Sequence, residues 1–214
     1  LIEIAIRKSR TEQNPTIYRK YALNSYSAEA AATDIAKLRP SLPSRNDQNT
    51  TPHTMHIHVI TTGGTLDKVY HDALSEYRVG DPAINHILDE AGVTFDYTVE
   101  ELLRKDSLEI DDADRSLVRE RVEASPHRHI LITHGTDTMA QTAERLRGIA
   151  GKVIVFTGAM QPARFRVNDA TFNVGFALGA LQTLPDGIYV AMSGQIFAAG
   201  TVRKNRAAGR FETS

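Results

Sequence analysis

From Met55 onward, the 214-residue chain alternates short apolar runs with longer segments of helical periodicity, and no other feature constrains its fold as much. The runs are "HIHVIT", "TFDYTVE", "HILIT", "KVIVFTG" and "GIYVAM". Between them lie "DPAINHILDEAG", "DDADRSLVRERVEAS", "DTMAQTAERLRGIA" and "DATFNVGFALGALQTL". Alternation of this kind predicts an α/β fold: an open, mainly parallel sheet in three layers, with helices on both faces. Ligands of such sheets bind beyond the carboxyl ends of the strands, where neighbouring loops converge.

The first 54 residues read differently. They hold one expected helix, "SAEAAATDIAKLRP", capped by Ser27 and stopped before Pro40, and then a polar linker, "SLPSRNDQNTTPH". Because the chain opens on Leu1 while Met55 stands just before the first strand, residues 1–54 are expected to be a disordered or non-native extension. A native arm is the competing reading. Arg7, Lys8 and Arg10 hint at an organelle presequence, against which Glu3 and Glu12 count. The rest, 55–214, fits one domain.

Composition narrows the chemistry. A formal charge of -1 with interspersed signs gives no general hold on nucleic acid or anionic membrane, so the expected partner is a small neutral or zwitterionic molecule. The absence of cysteine excludes disulfides, thiolate metal sites and a cysteine nucleophile, leaving Ser, Thr, Lys or a carboxylate. No apolar run approaches the roughly 18 residues of a membrane span, and the amino end lacks a secretory signal pattern, so a cytoplasmic protein is expected.

Polar residues gather at the predicted strand ends. The first ends in Thr61-Thr62-Gly63-Gly64-Thr65, the third in Thr133-His134-Gly135-Thr136-Asp137-Thr138 and the fourth in Thr157-Gly158-Ala159-Met160, while Asp106 and Ser107 follow the second. Each has a plain structural explanation. Glycines let a chain turn, Thr136 stands where a helix N-cap would, and Lys152 precedes a buried run as a solvated charge would. Together, however, hydroxyls, a carboxylate and exposed amides in one crevice suit nucleophilic acyl transfer, in which a threonine needs a nearby base or cation.

The residues "TTGGT", "ITHGTDTMAQTA" and "KVIVFTGAMQPARFRVNDATFN", in this order, resemble the signatures of bacterial-type L-asparaginases. The resemblance runs from about residue 55 to "VRKNRAAGRF" and implies the Rossmann-like or flavodoxin-like N-terminal domain of that family, without its C-terminal domain. It implies an amidohydrolase that converts L-asparagine to L-aspartate and ammonia through an acyl-enzyme, with no metal or organic cofactor. Thr65 matches the nucleophile, Tyr77 the tyrosine of a mobile loop, and Thr136, Asp137 and Lys152 the set that polarises a hydroxyl or water. Ser107 and Asp137 match residues binding the substrate's amino and carboxylate groups; Gly64, Gly135 and Thr136 complete the expected binding set. Tyr70 lies in the same loop as Tyr77, and Leu108 stands where many members carry glutamine. A homodimer or higher homo-oligomer is the implied assembly.

Three other readings are compatible with the sequence. His56 with His58, and His127 with His129, alternate as metal ligands can, but at the amino ends of their strands. A non-catalytic module could sense an amino acid in the same crevice. A related amidase could act on glutamine or on an amide carried by transfer RNA, against which the neutral charge counts. His134 reads as a structural hydrogen-bonding residue, and Phe172, Phe176 and Leu178 as core.

Overall fold

The computed structural model describes residues 55–72 and 75–214. The expected helix at 27–40, the linker and the nature of the first 54 residues lie outside the described part. Within it, six strands form one sheet in the order β4-β1-β5-β6-β7-β8. β1 (His56–Gly63), β4 (Asp96–Lys105), β5 (His129–Thr133), β6 (Val153–Thr157) and β7 (Gly187–Met192) run parallel. β8 (Gln195–Ala198) closes the edge antiparallel to β7, through a turn that puts Ser193 at φ 51° and Gly194 at φ 78°. The mainly parallel α/β sheet is the architecture expected from the alternation.

Helices cover both faces. Ile57, Val59, Leu131 and Val155 pack against α1 (Ile84–Ala91) and α4 (Ala170–Thr183). Ile60, Ile130, Ile132, Ile154 and Phe156 pack on the opposite face, together with Val118 and Val122 of α2 (Asp112–Ala124) and Met139 and Ala143 of α3 (Met139–Arg145). Alternate residues of each strand thus enter opposite cores, so each strand is apolar on both sides. Phe156 alone, fully buried, is the kind of side chain whose truncation costs about 3–5 kcal/mol.

Phe172 corrects the expectation that all three apolar positions of α4 are core. Its side chain is 61% exposed and stacks on Phe176 with ring centroids 6.2 Å apart, whereas Leu178 is buried and Phe176 packs partly against the core. α4 carries no charge in its 14 residues, so composition gave no means of telling its wet face from its dry one.

Two small ribbons were not expected. β2 (Lys68–His71) pairs antiparallel with β3 (Glu76–Val79), and β9 (Val202–Asn205) with β10 (Arg210–Thr213). Their strands are four residues long and alternate weakly, which leaves little periodic signal. Both bear on the site.

Candidate active site

Strand order fixes where the site can form. β1 is flanked by β4 on one side and β5 on the other, so the chain's direction of winding reverses there and opens a crevice at the carboxyl ends of β1 and β5. Thr61 pairs in register with Thr133, and Thr133 with Thr157, so the polar strand ends of the sequence lie in one row.

The loops that follow touch. Gly64 has φ 94°, and a Cβ there would be driven into the Gly135 backbone. A Cβ on Gly135 would lie 2.6 Å from both Cβ and Oγ of Ser107. Glycine at these two positions therefore lets the ends of β1, β4 and β5 close to van der Waals contact. Thr65, Thr136 and Ser107 are brought to one spot as a result. Thr65 opens a 3-10 turn, Thr65–Asp67, and is partly exposed; Thr136 and Ser107 are almost fully buried.

Hydrogen bonds hold these loops. Thr138 Oγ1 donates to Ser107 O at 2.6 Å, tying the loop after β5 to the one after β4. Ser107 begins a 3-10 turn whose capping box joins Asp106 and Glu109. His134 is fully buried; its Nδ1–H donates to Gly135 O at 2.8 Å, and its Nε2 accepts from Thr142 Oγ1 at 2.9 Å. Burial pushes its pKa down to about 4, so it stays neutral and acts as a brace. Thr138, not Thr136, occupies the N-cap position of α3, which leaves the Thr136 hydroxyl free for other work.

That hydroxyl meets a cation from the second ribbon. Lys204, on β9, donates from Nζ to Thr136 Oγ1 at 2.7 Å and to Asp137 Oδ1 at 3.1 Å, with its side chain only 14% exposed. Arg206 Nε reaches the same Asp137 oxygen at 3.2 Å. The ribbon is anchored by buried Val202 and Phe211, and Ser214 N donates to Thr201 O.

Lys152 does not belong to this group, which corrects its assignment as the polarising lysine. It stands before the first residue of β6, at the amino end of the sheet, and its Nζ donates to Ser125 O at 2.6 Å and His127 O at 3.1 Å. Burial pushes its pKa down, with no carboxylate to oppose it. Strand polarity explains the error: a residue that opens a parallel strand lies a full strand length from the crevice. Lys204 was missed because it sits on a short ribbon, in "VRKNRAAGRF", without apolar periodicity to place it.

Other expected residues lie as follows. Tyr77 is on β3, half exposed, and makes edge contacts with Tyr70 at 5.3 Å and Phe165 at 5.9 Å. The loop bearing Phe165 is tied to the turn after Thr65 by Ala163 N donating to Leu66 O. Thr157 adds nothing to the crevice, since its hydroxyl donates to Ala191 O at 3.0 Å, and the Met160 and Gln161 amides are taken by Asp169. At the opposite pole, His56 stacks on His127 at 4.0 Å, while His58 donates to Glu100 at 3.1 Å and accepts from Ser125 Oγ at 2.9 Å. These rings are committed to one another and to the scaffold.

A buried hydroxyl facing an ammonium, a second threonine in an adjoining loop and glycine-lined backbone form a polar site suited to acyl transfer. Solved structures share the architecture. The thermostable L-asparaginase from Thermococcus kodakarensis is 28% identical, with a TM-score of 0.65 over 74% of this chain and 51% of its own. L-asparaginase I from Vibrio cholerae, 24% identical with a TM-score of 0.66 over 74% of this chain and 51% of its own, shares the fold. The chain thus spans about half the length of either protein. No curated protein matches it. The profile of the family described as Asparaginase, N-terminal, matches residues 56–212, and the chain belongs to that family.

Proposed function

We propose that the chain is an amidohydrolase that hydrolyses L-asparagine to L-aspartate and ammonia, with Thr65 as nucleophile. The observation that carries this reading is the contact of Lys204 Nζ with Thr136 Oγ1 and Asp137 Oδ1, in a loop packed against the one that holds Thr65. An ammonium at that distance favours the anionic form of a hydroxyl or of a water held beside it. Simple binding of an amino acid would not need it.

In this reading Thr65 Oγ attacks the side-chain amide carbon, and amides of the loops after β1 and β5 hold the oxyanion. The tetrahedral intermediate collapses by breaking the C–N bond, and the proton lost by Thr65 leaves on ammonia. Tyr77, across the β2–β3 ribbon, closes over Thr65 and orients it. Water polarised by Thr136 and Lys204 then attacks the ester, and Thr65 recovers its proton. Ser107 and Asp137 hold the substrate's α-carboxylate and α-amino group. No step calls on a metal or an organic cofactor. Among the described residues no helix is long and apolar enough to cross a membrane.

The test is ammonia release from L-asparagine and L-glutamine by the full chain and by Thr65→Ala. The expected result is release from asparagine that falls at least about a thousandfold in the variant. Unchanged release from Thr65→Ala would remove Thr65 from the mechanism.

A further inference from the structure

The β9–β10 ribbon brings more positive charge to the site than Asp137 matches. Side chains alternate between the two faces of such a ribbon. On one face Glu212 pairs with Arg203 at 3.3 Å and with Arg210 at 3.0 Å, and accepts from Asn205 at 3.1 Å. On the other, Val202 and Phe211 are buried against the sheet, and Lys204 reaches Thr136 and Asp137. Arg206 continues this second row by one step. The turn that follows it is closed by Ala208 N donating to Asn205 Oδ1 at 3.0 Å, with Gly209 at φ 61°.

Arg206 Nε lies 3.2 Å from Asp137 Oδ1, an oxygen that already accepts from Lys204 at 3.1 Å. Two cations thus face one carboxylate. The Arg206 guanidinium is 66% exposed and makes no hydrogen bond among the described residues, and Asp137 Oδ2 has no partner among them. Other charges nearby are matched differently. Lys68, just after the Thr65 turn, pairs with Asp106 at 2.7 Å, and Lys105, at the end of β4, pairs with Asp114 at 2.7 Å. Ser107, in the loop tied to that of Asp137 through Thr138, is neutral, and Leu108 beside it is apolar. Of these charges, that of Arg206 is the one without a full partner.

We infer that Arg206 is a specificity-determining residue that receives the substrate's α-carboxylate, while Asp137 Oδ2 receives its α-ammonium, so that the site takes asparagine as the free amino acid. The inference rests on the proposed Thr65 site, in which Asp137 holds the α-amino group. Opposite charges side by side on the protein match those of a zwitterion, whose ammonium and carboxylate share one carbon. A carboxylate both neutralises the excess charge and fits the planar guanidinium fork, and a neutral amide does neither. Ser107 adds an uncharged donor to the same group.

The experiment measures ammonia release from L-asparagine and from L-asparagine α-methylamide, which keeps the ammonium and loses the carboxylate, by the full chain and by Arg206→Gln. A charge-assisted contact at an exposed position predicts kcat/KM about tenfold higher for L-asparagine. Arg206→Gln removes that advantage through KM, leaving kcat for L-asparagine and kcat/KM for the methylamide within about twofold. Equal or faster turnover of the methylamide by the full chain, an undiminished preference in the variant, or an equal loss for both compounds overturns the inference and leaves the Thr65 reading standing. The equal loss is what a residue that only steadies Asp137 would give. Should the full chain release ammonia from neither compound, the Thr65 reading fails, and calorimetric titration of both into the full chain and Arg206→Gln decides separately. Tighter binding of L-asparagine that Arg206→Gln abolishes supports the role of Arg206, and equal or absent binding of the two overturns it.

Discussion

Replacing each lysine in turn by methionine separates the two placements of the activating charge. Methionine keeps most of the aliphatic stem and removes only the ammonium. At 2.7 Å from Thr136 Oγ1, the Lys204 charge interacts with a full negative charge by about 6 kcal/mol at an effective dielectric constant of about 20. With roughly half a charge developing in the transition state, about 3 kcal/mol is lost, which is a rate loss of about a hundredfold. Lys152 lies a five-residue strand away, about 17 Å at about 3.3 Å per residue. That is about twice the Debye length of roughly 8 Å at physiological salt, so Lys152→Met should change the rate by less than about twofold. The assay is ammonia release under saturating L-asparagine, with circular dichroism and urea midpoints to establish that both variants are folded. Retention of more than about a third of the rate by Lys204→Met, or a comparable loss in Lys152→Met, would refute the electrostatic argument.

Packing, pH and surface chemistry give further predictions. Gly135→Ala should cost about 1–3 kcal/mol in urea denaturation and abolish turnover, since its Cβ would lie 2.6 Å from Ser107 Cβ; adding Ser107→Gly should restore stability but not activity. His134, pushed down to about 4 by burial, makes the unfolded chain bind the extra proton, so its contribution to stability is lost as pH falls from about 6.5 to about 4. Asp67 has the opposite sign. Burial raises its pKa to about 6, and its Oδ1 accepts from Ala83 N while Oδ2 has no partner among the described residues, so the folded chain gains stability as pH falls from about 6 to 3.8. Asp67→Asn should therefore be up to about 3 kcal/mol more stable at pH 8 and lose stability more steeply than the parent toward pH 4; a destabilised variant with an unchanged profile would contradict this. Phe172→Lys should alter the urea midpoint by less than about 0.5 kcal/mol, as a wet position demands, whereas a loss of several would return Phe172 to the core.

The sequence showed the sheet well and the ribbons poorly, for a physical reason. Strands such as "HILIT" and "KVIVFTG" are buried on both faces, and that burial writes an apolar run that can be read without coordinates. β2, β3, β9 and β10 gain their order from contact with the sheet's loops, and contact leaves no period. The loops that carry Thr65 and Thr136 were legible because their glycines are needed for close approach at Gly64 and Gly135. Lys204 was not, because its place depends on how a short ribbon folds back over the end of β5. Strand polarity, which put the histidine pairs at the far pole, applied with equal force to Lys152 and was enough to exclude it.

The ribbon that carries Lys204 makes the charge a separable part. Among the described residues β9 and β10 pair only with each other and hold the sheet through Val202 and Phe211, so no strand of the six-stranded sheet is needed to build them. On the proposed mechanism the chain is in this respect a natural candidate for splitting into two complementing pieces. Cut in the loop between β8 and β9, the larger piece keeps the crevice and the two threonines, and a peptide spanning 202–214 supplies the ammonium. Activity then becomes a titratable signal of whether the two pieces have met.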